Sequence, residues 1–156
     1  MSSKSEHGIS TAAITVPARI AYLSLIDEMI QWVAGRVGMG KDGTRDLSLI
    51  VDEGCTNVMS YAYPDDPEGL LTVQCAALSE PKVGISVTIV DHGVPFDPEK
   101  GLGIGEEKRA RDPASGGRGL LLIYQLADET RYEWSEEGGN RFTLTKYASP
   151  EPSTHA

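Results

Sequence analysis

Three short stretches of this chain hold residue types at spacings that can do chemistry. Glu53 and Asn57 lie four positions apart, so on a helix their side chains point the same way. At about 100° per residue they sit roughly 110° from the centre of the neighbouring apolar stripe, on a shoulder half buried and half facing a cleft. A carboxylate there can take a proton from an attacking hydroxyl or water, and an amide oxygen one turn away can ligate a hard cation such as Mg²⁺. The same pair also fits a solvated helix face. Asp91-His92-Gly93-Val94-Pro95-Phe96-Asp97 follows directly on a hydrophobic segment. An aspartate at a strand's end can accept a hydrogen bond from an exocyclic amine, and Gly93 would let a flat ring approach the backbone, although Asp, Gly and Pro also make ordinary turns. Gly116-Gly117-Arg118-Gly119-Leu120 opens a helical pattern, where backbone N–H groups and the helix dipole can face a phosphate or the glycines can act as a plain hinge. No G-K-[ST] follows and no parallel βαβ unit surrounds it, so it is neither a Walker loop nor a dinucleotide fingerprint.

The elements that must position these residues are legible in the hydrophobic periodicity. Residues 9–16 are rich in β-branched types and suit a strand, after which Pro17 sits where a helix can begin. Leu23, Ile26, Ile30, Val33 and Val37 recur at helical spacing from Ala18 onward, and Gly38 and Gly40 end that first helix. A second helix, capped by Asp42 or Thr44, buries Leu47, Val51, Gly54, Val58 and Ala62 before Pro64-Asp65-Asp66-Pro67 breaks it. Residues 70–77 and 83–90 read as a hairpin, residues 98–117 as a long glycine-rich loop without periodicity, and residues 119–127 as a third helix. Residues 131–135 and 141–147 form a closing hairpin through Glu137-Gly138-Gly139-Asn140. Strands grouped apart from helices imply an α+β two-layer sandwich, a mixed and mostly antiparallel sheet with three helices on one face. The working domain is residues 9–147, between polar tails at 1–8 and 148–156.

Composition bounds the function. One compact domain is expected from 156 residues. The 40% apolar content is enough for a core, which excludes disorder throughout. Fourteen basic residues against twenty-three acidic ones give a net charge of −9, which disfavours direct binding to nucleic acid or an anionic membrane yet leaves room for a small anionic ligand held by backbone amides and a metal. Cys55 and Cys75 fall in buried segments outside any C-x-x-C pattern, so free thiols in a reducing cytoplasm are expected and structural zinc is not. Nowhere is there a run near the roughly 18 apolar residues of a membrane span.

In this order, the stretches resemble the anti-sigma-factor serine/threonine kinases of the GHKL ATPase superfamily, which share the Bergerat ATP-binding fold with histidine kinases. Val51-Asp52-Glu53-Gly54-Cys55-Thr56-Asn57-Val58 with Tyr61-Ala62-Tyr63 looks like the N box of that family, and Asp91-x-Gly93-x-Pro95-Phe96-Asp97-Pro98 like its first glycine box. Gly116-Gly117-Arg118-Gly119-Leu120 with Ile123 and Asp128-Glu129 looks like the second glycine box. The resemblance implies Glu53 as general base, Asn57 as Mg²⁺ ligand, Asp91 on the adenine amine with Gly93 beside the ring, Gly117 and Gly119 on phosphates, and residues 98–115 as an ATP lid. Arg118 is either a phosphate ligand or a surface charge, and the lid's Lys108, Arg109 and Arg111 either reach the phosphates or face solvent. The implied reaction moves the ATP γ-phosphoryl group to a serine or threonine of a STAS-domain anti-anti-sigma partner, which competes with a sigma factor for the kinase; a homodimer is expected. The last strand carries Asn140-Arg141-Phe142 where members often have a phosphate-holding Thr, so Arg141 stands as a substitute, and Ser60 stands where a His is common. A non-catalytic partner-binding module is the alternative. The catalytic half of a histidine kinase is disfavoured, because His7, His92 and His155 all fall outside the expected helices. The polar side of the first helix, Arg19, Asp27, Glu28 and Gln31, is the expected partner surface.

Overall fold

Alternation of apolar and polar residues builds five strands, β1 (Thr11–Pro17), β2 (Leu70–Leu78), β3 (Gly84–Asp91), β4 (Glu129–Ser135) and β5 (Gly139–Tyr147), in one sheet of order β1-β2-β3-β5-β4. This computed structural model describes residues 11–111 and 118–149. The expected tail at 1–8, the first two positions of the expected strand 9–16, and Gly116 and Gly117 lie outside the described residues, as do residues 150–156 of the second tail. All four strand pairings are antiparallel among the described residues, where a mixed sheet was expected. A short hairpin joins β2 to β3 and another joins β4 to β5, and these two hairpins meet along the β3–β5 pairing. Ala148 still donates its N–H to Val83 O at 2.8 Å and packs against the core, one residue beyond the expected domain end.

The first helical stripe splits into a 3₁₀ turn at Ile20–Tyr22 and α1 (Leu23–Val37), which buries Ile26, Ile30, Val33 and Ala34. Gly38, in the left-handed region at φ 77°, ends it as expected, its N–H bonded to Ala34 O. α2 (Lys41–Tyr61) starts from Gly40 rather than from a cap at Asp42 or Thr44. Thr44 lies inside the first turn, and its hydroxyl donates back to Gly40 O at 2.6 Å, so it cannot cap. α2 lies between α1 and α4 (Arg118–Leu126) and presses Leu47, Ile50, Val51 and Cys55 into a core shared with Val73, Cys75, Val87, Ile89, Ile123 and Leu144. Each such side chain contributes roughly 1.5–3 kcal/mol of burial. Both cysteines are free and buried; burial pushes the Cys75 thiol up to about 12 and raises that of Cys55 as well, so neither is poised as a thiolate.

The expected loop at 98–117 is instead helical over its first part, as α3 (Pro98–Arg111). Asp97 Oδ1 accepts the Glu99 N–H at 3.0 Å, Pro98 occupies the first helical position, and Gly101 donates to Asp97 O at 3.0 Å. That capped start outweighs the glycines that obscured the periodicity. Gly101 packs so closely on Phe96 and Leu120 that a side chain there would collide, which seats α3 against α4.

One polar contact pins the helical layer to the sheet. The Lys146 ammonium on β5 donates to Leu126 O, at the end of α4, at 2.8 Å and pairs with Asp46 of α2 at 3.5 Å, with only 14% of its side chain exposed. A cation at a helix C-terminus is favoured by the dipole. Lys146→Met leaves the part-buried Asp46 to the exposed Arg45 at 3.9 Å and removes the donor to Leu126 O, so it is expected to lower stability by about 1–3 kcal/mol, read as a lower urea midpoint with an unchanged m-value.

Candidate functional site

The carboxyl end of β3 sits beside the start of β5, and this register makes the site. Asp91 is paired with Asn140 across the two strands, both side chains are buried, and Asn140 Nδ2 donates to Asp91 Oδ1 at 2.9 Å. The Gly93 N–H donates to the same oxygen at 2.9 Å. Asn140 Nδ2 also donates to Val94 O at 3.0 Å, while Asn140 Oδ1 accepts the Phe96 N–H at 3.1 Å and the Tyr132 hydroxyl. Tyr63, just past α2, accepts the His92 N–H at 2.7 Å and donates to Leu70 O at 2.6 Å, fixing the turn that carries Asp91.

Around this network lies a cavity of about 90 Å³, lined on the α2 side by Gly54, Asn57, Val58 and Tyr61, on the sheet side by Ile89, Asp91, Asn140 and Phe142, and at its rim by Val94, Phe96, Pro98 and Leu120. An apolar slot with a few convergent polar groups is the usual form of a small-molecule site. A larger open groove of about 900 Å³ between α1 and α2 holds Asp27, Gln31, Ser48 and Asp52; of the stretches that resemble the boxes its lining includes Asp52 alone, and none of the residues to which the resemblance gives a role. Of the expected partner surface, Asp27 accepts the Ser48 hydroxyl and Arg19 donates to Pro67 O at 3.3 Å, while Glu28 and Gln31 are exposed.

Asn57 and Asp91 therefore meet in one cavity. Glu53, one turn before Asn57, reaches the start of α4 instead: an atom added as Cβ on Gly119 would lie 2.4 Å from its Oε2. Burial raises the Glu53 pKa above the ordinary carboxylate value, and the neighbouring Asp52 charge adds to the shift. Asp52 is raised in the same way, by burial and then by Asp27. Gly93 has a packing reason to be glycine in addition to the ring access expected of it. Its added Cβ would lie 2.1 Å from Ala62 O, so the end of α2 closes on it, and Val94 N bonds that same carbonyl at 2.8 Å. Arg118 is exposed on the first turn of α4. Gly117 and the side chains of Lys108, Arg109 and Arg111 lie outside the described residues. Arg141 does not stand in as a phosphate ligand from the last strand: alternation turns it to the opposite face of β5 from Asn140 and Phe142, where it donates to Gln74 Oε1 at 3.3 Å.

Asn140, Tyr132 and Tyr63 are the site residues that the sequence reading passed over. Asn140 looked like a turn residue of the closing hairpin, and only pairing β5 against β3 would have set it opposite Asp91. Among the described residues no group of three or more His, Cys, Asp or Glu side chains gathers as a metal centre, and no helix is long and apolar enough to cross a membrane. Asn57 therefore offers a single amide oxygen, which suits Mg²⁺ bound mainly through phosphates and water and does not suit a metal caged by protein alone.

This two-layer fold, with an acid–amide pair on its central helix and a buried aspartate at the end of β3, is that of a histidine kinase-like ATPase. The family described as "Histidine kinase-like ATPase domain" matches residues 16–146. The serine-protein kinase RsbW of Bacillus subtilis (strain 168) is 31% identical over 144 residues, covering 90% of this chain and 87% of that protein. RsbW of Halalkalibacterium halodurans is 33% identical over 145 residues, covering 90% and 85%. In solved structures, the chain resembles the crystal structure of the RsbU and RsbW domains of a Mycobacterium tuberculosis protein, with a TM-score of 0.63 at 18% identity; the match covers 91% of this chain and 34% of that one, and it shows the fold alone. The chain belongs to the histidine kinase-like ATPase family of the GHKL superfamily and, within it, to the anti-sigma-factor serine-protein kinases.

The two glycine contacts differ in what can yield. At Gly93 the obstacle is backbone, so Gly93→Ala is expected to cost about 2–4 kcal/mol in urea unfolding. At Gly119 it is the tip of a flexible side chain, so Gly119→Ala is expected to change stability by less than about 1 kcal/mol while pushing the Glu53 carboxylate aside.

Proposed function

We propose that this protein is an Mg·ATP-dependent serine/threonine protein kinase and anti-sigma regulator that phosphorylates a STAS-domain anti-anti-sigma partner. The observation that carries the reading is that Asp91 and Asn57 line one slot with Leu120 of α4, while Glu53, one turn before Asn57, lies against Gly119 at the start of that same helix. RsbW proteins, which are named serine-protein kinases, support the same class.

In this reading Asp91 accepts the exocyclic amine of adenine, between the apolar walls made by Val58, Ile89 and Phe142 and the rim at Val94 and Phe96. Asn57 would hold Mg²⁺, which neutralises phosphate charge when bound. The N-terminal turn of α4, with Gly119, Arg118 and the preceding Gly117, would face the phosphates, because the dipole and the backbone N–H groups of a helix start favour an anion. Residues 98–115, of which α3 is the first part, form the lid. Glu53 takes the proton of the acceptor hydroxyl as the serine oxygen bonds to the γ-phosphorus and the bond to the ADP leaving oxygen breaks. A raised carboxylate pKa suits a base that must hold that proton. Unphosphorylated STAS protein would compete with the sigma factor for this chain, and phosphorylation would release it. The reading implies a cytoplasmic homodimer that contacts neither nucleic acid nor membrane directly.

Calorimetry with ATP, with Mg²⁺ present and then with chelator, is expected to give saturable binding that weakens when the metal is removed. With a STAS-domain protein of the same organism as acceptor, Glu53→Gln should cut phosphoserine or phosphothreonine formation by about 10²–10⁴-fold while ATP still binds. The wild-type rate should fall as pH drops through the raised Glu53 pKa, because the base must be ionised to act. Nucleotide binding with equal transfer by wild type and Glu53→Gln would remove Glu53 as the base.

A further inference from the structure

Asn140 spends its whole hydrogen-bonding capacity inside the protein. Its amide donates twice, to Asp91 Oδ1 and Val94 O, and accepts twice, from the Phe96 N–H and the Tyr132 hydroxyl. Rotating the amide by half a turn would set its oxygen against two acceptors and its NH₂ against two donors, so only one orientation is tenable. Asn140 is 4% exposed and Asp91 5%. Asp91 Oδ1 is occupied by two donors, Gly93 N–H and Asn140 Nδ2, and Oδ2 takes part in neither bond. Asp91 nevertheless lines the cavity.

We propose that Asn140 is a positioning residue that sets base selectivity: by holding Asp91 Oδ1 it leaves one fixed acceptor oxygen facing the slot, and so selects 6-amino over 6-oxo purine nucleotides. This rests on the nucleotide reading above. A 6-amino group donates to that oxygen. A 6-oxo group would set lone pairs against a carboxylate, and rescue would need either a bridging water to donate to both or a shift of base or carboxylate that brings the ring N1–H onto the oxygen. The Asn140 amide takes the donor position beside Asp91 Oδ1 that such a water would otherwise compete for, and together with the Gly93 N–H it holds the carboxylate against turning. A site built to pair with a donor at one position rejects a ligand that presents an acceptor there far more strongly than an apolar pocket rejects an extra group. The same amide holds the Phe96 N–H, one residue before the Asp97 cap of α3, so the base acceptor and the start of the lid share one anchor.

The test is calorimetric affinity for ATP and for inosine triphosphate, with Mg²⁺, in wild type, Asn140→Ala, Asn140→Ser and Tyr132→Phe. Wild type is expected to prefer ATP. Asn140→Ala should cut that preference roughly tenfold or more, chiefly by improving the relative binding of inosine triphosphate, since water enters the vacated space. Asn140→Ser, which returns one donor beside Asp91, should recover part of the preference and decides the matter if the alanine variant does not fold. Tyr132→Phe removes a bond to the amide oxygen while both amide donors stay in place, and should reduce the preference by less than Asn140→Ala does. A merely structural role predicts instead that all three variants lose stability and keep the wild-type ratio, which overturns the proposal. Equal binding of the two nucleotides by wild type overturns it as well, with the nucleotide site intact. Binding of neither by wild type overturns the nucleotide reading itself.

Discussion

The pairing of β3 with β5 is the constraint on which the site depends. It sets Asp91 opposite Asn140, 49 residues later in the chain, and brings the turn after β3 under the start of the closing hairpin. The cost of burying a carboxylate is then met locally by two N–H donors on one oxygen of a residue that also lines the cavity. A slip of one residue in this register would turn Asn140 to the uncovered face of the sheet and put Arg141 beside the cavity. The Tyr132 hydroxyl, from the neighbouring strand β4, closes the same network, so three adjacent strands contribute one residue each.

α2 does the complementary work from the other layer. One of its faces is sealed against the sheet, and the edge of that face carries Glu53 and Asn57 toward the cavity and the start of α4. On its opposite flank Asp52 and Asp27 lie near one another, and burial together with that mutual charge raises Asp52. A raised folded pKa means that the ionised form is the one the fold disfavours. The contribution of Asp52 to stability is therefore present at low pH and lost as pH rises through its folded pKa. α2 thus carries unfavourable carboxylates on its solvent shoulder. Its attachment comes from the apolar face and from Lys146, which joins Asp46 to the end of α4, the helix whose other end brings Gly119 against Glu53.

Most elements were legible because their signals are local. The stripe Ile26, Ile30, Val33 marks α1, the β-branched alternation marks β2 and β3, and the order of the boxes marks the family. α3 was missed because glycines at 101, 103 and 105 blur its periodicity, although Asp97-Pro98-Glu99 carries the usual signature of a helix start. Arg141 was misassigned because its charge drew attention that belongs to the neutral Asn140. The sequence suggests ligand access at Gly93, and the close approach of the end of α2 adds a packing requirement at the same position.

By itself the sequence determined which residue types lie within a turn or two of one another: Glu53 with Asn57, Asp91 with Gly93, Arg118 with Gly119. These relations follow from helical and strand repeat alone. Only the tertiary structure decided which of them meet. Asp91 finds Asn140 and Tyr132 through strand register, and Gly119 finds Glu53 through the packing of α4 on α2. Gly93 meets Ala62 because the end of α2 crosses it. Such contacts arise from burying apolar faces that every element carries, and an apolar face specifies that it must be covered without specifying by what.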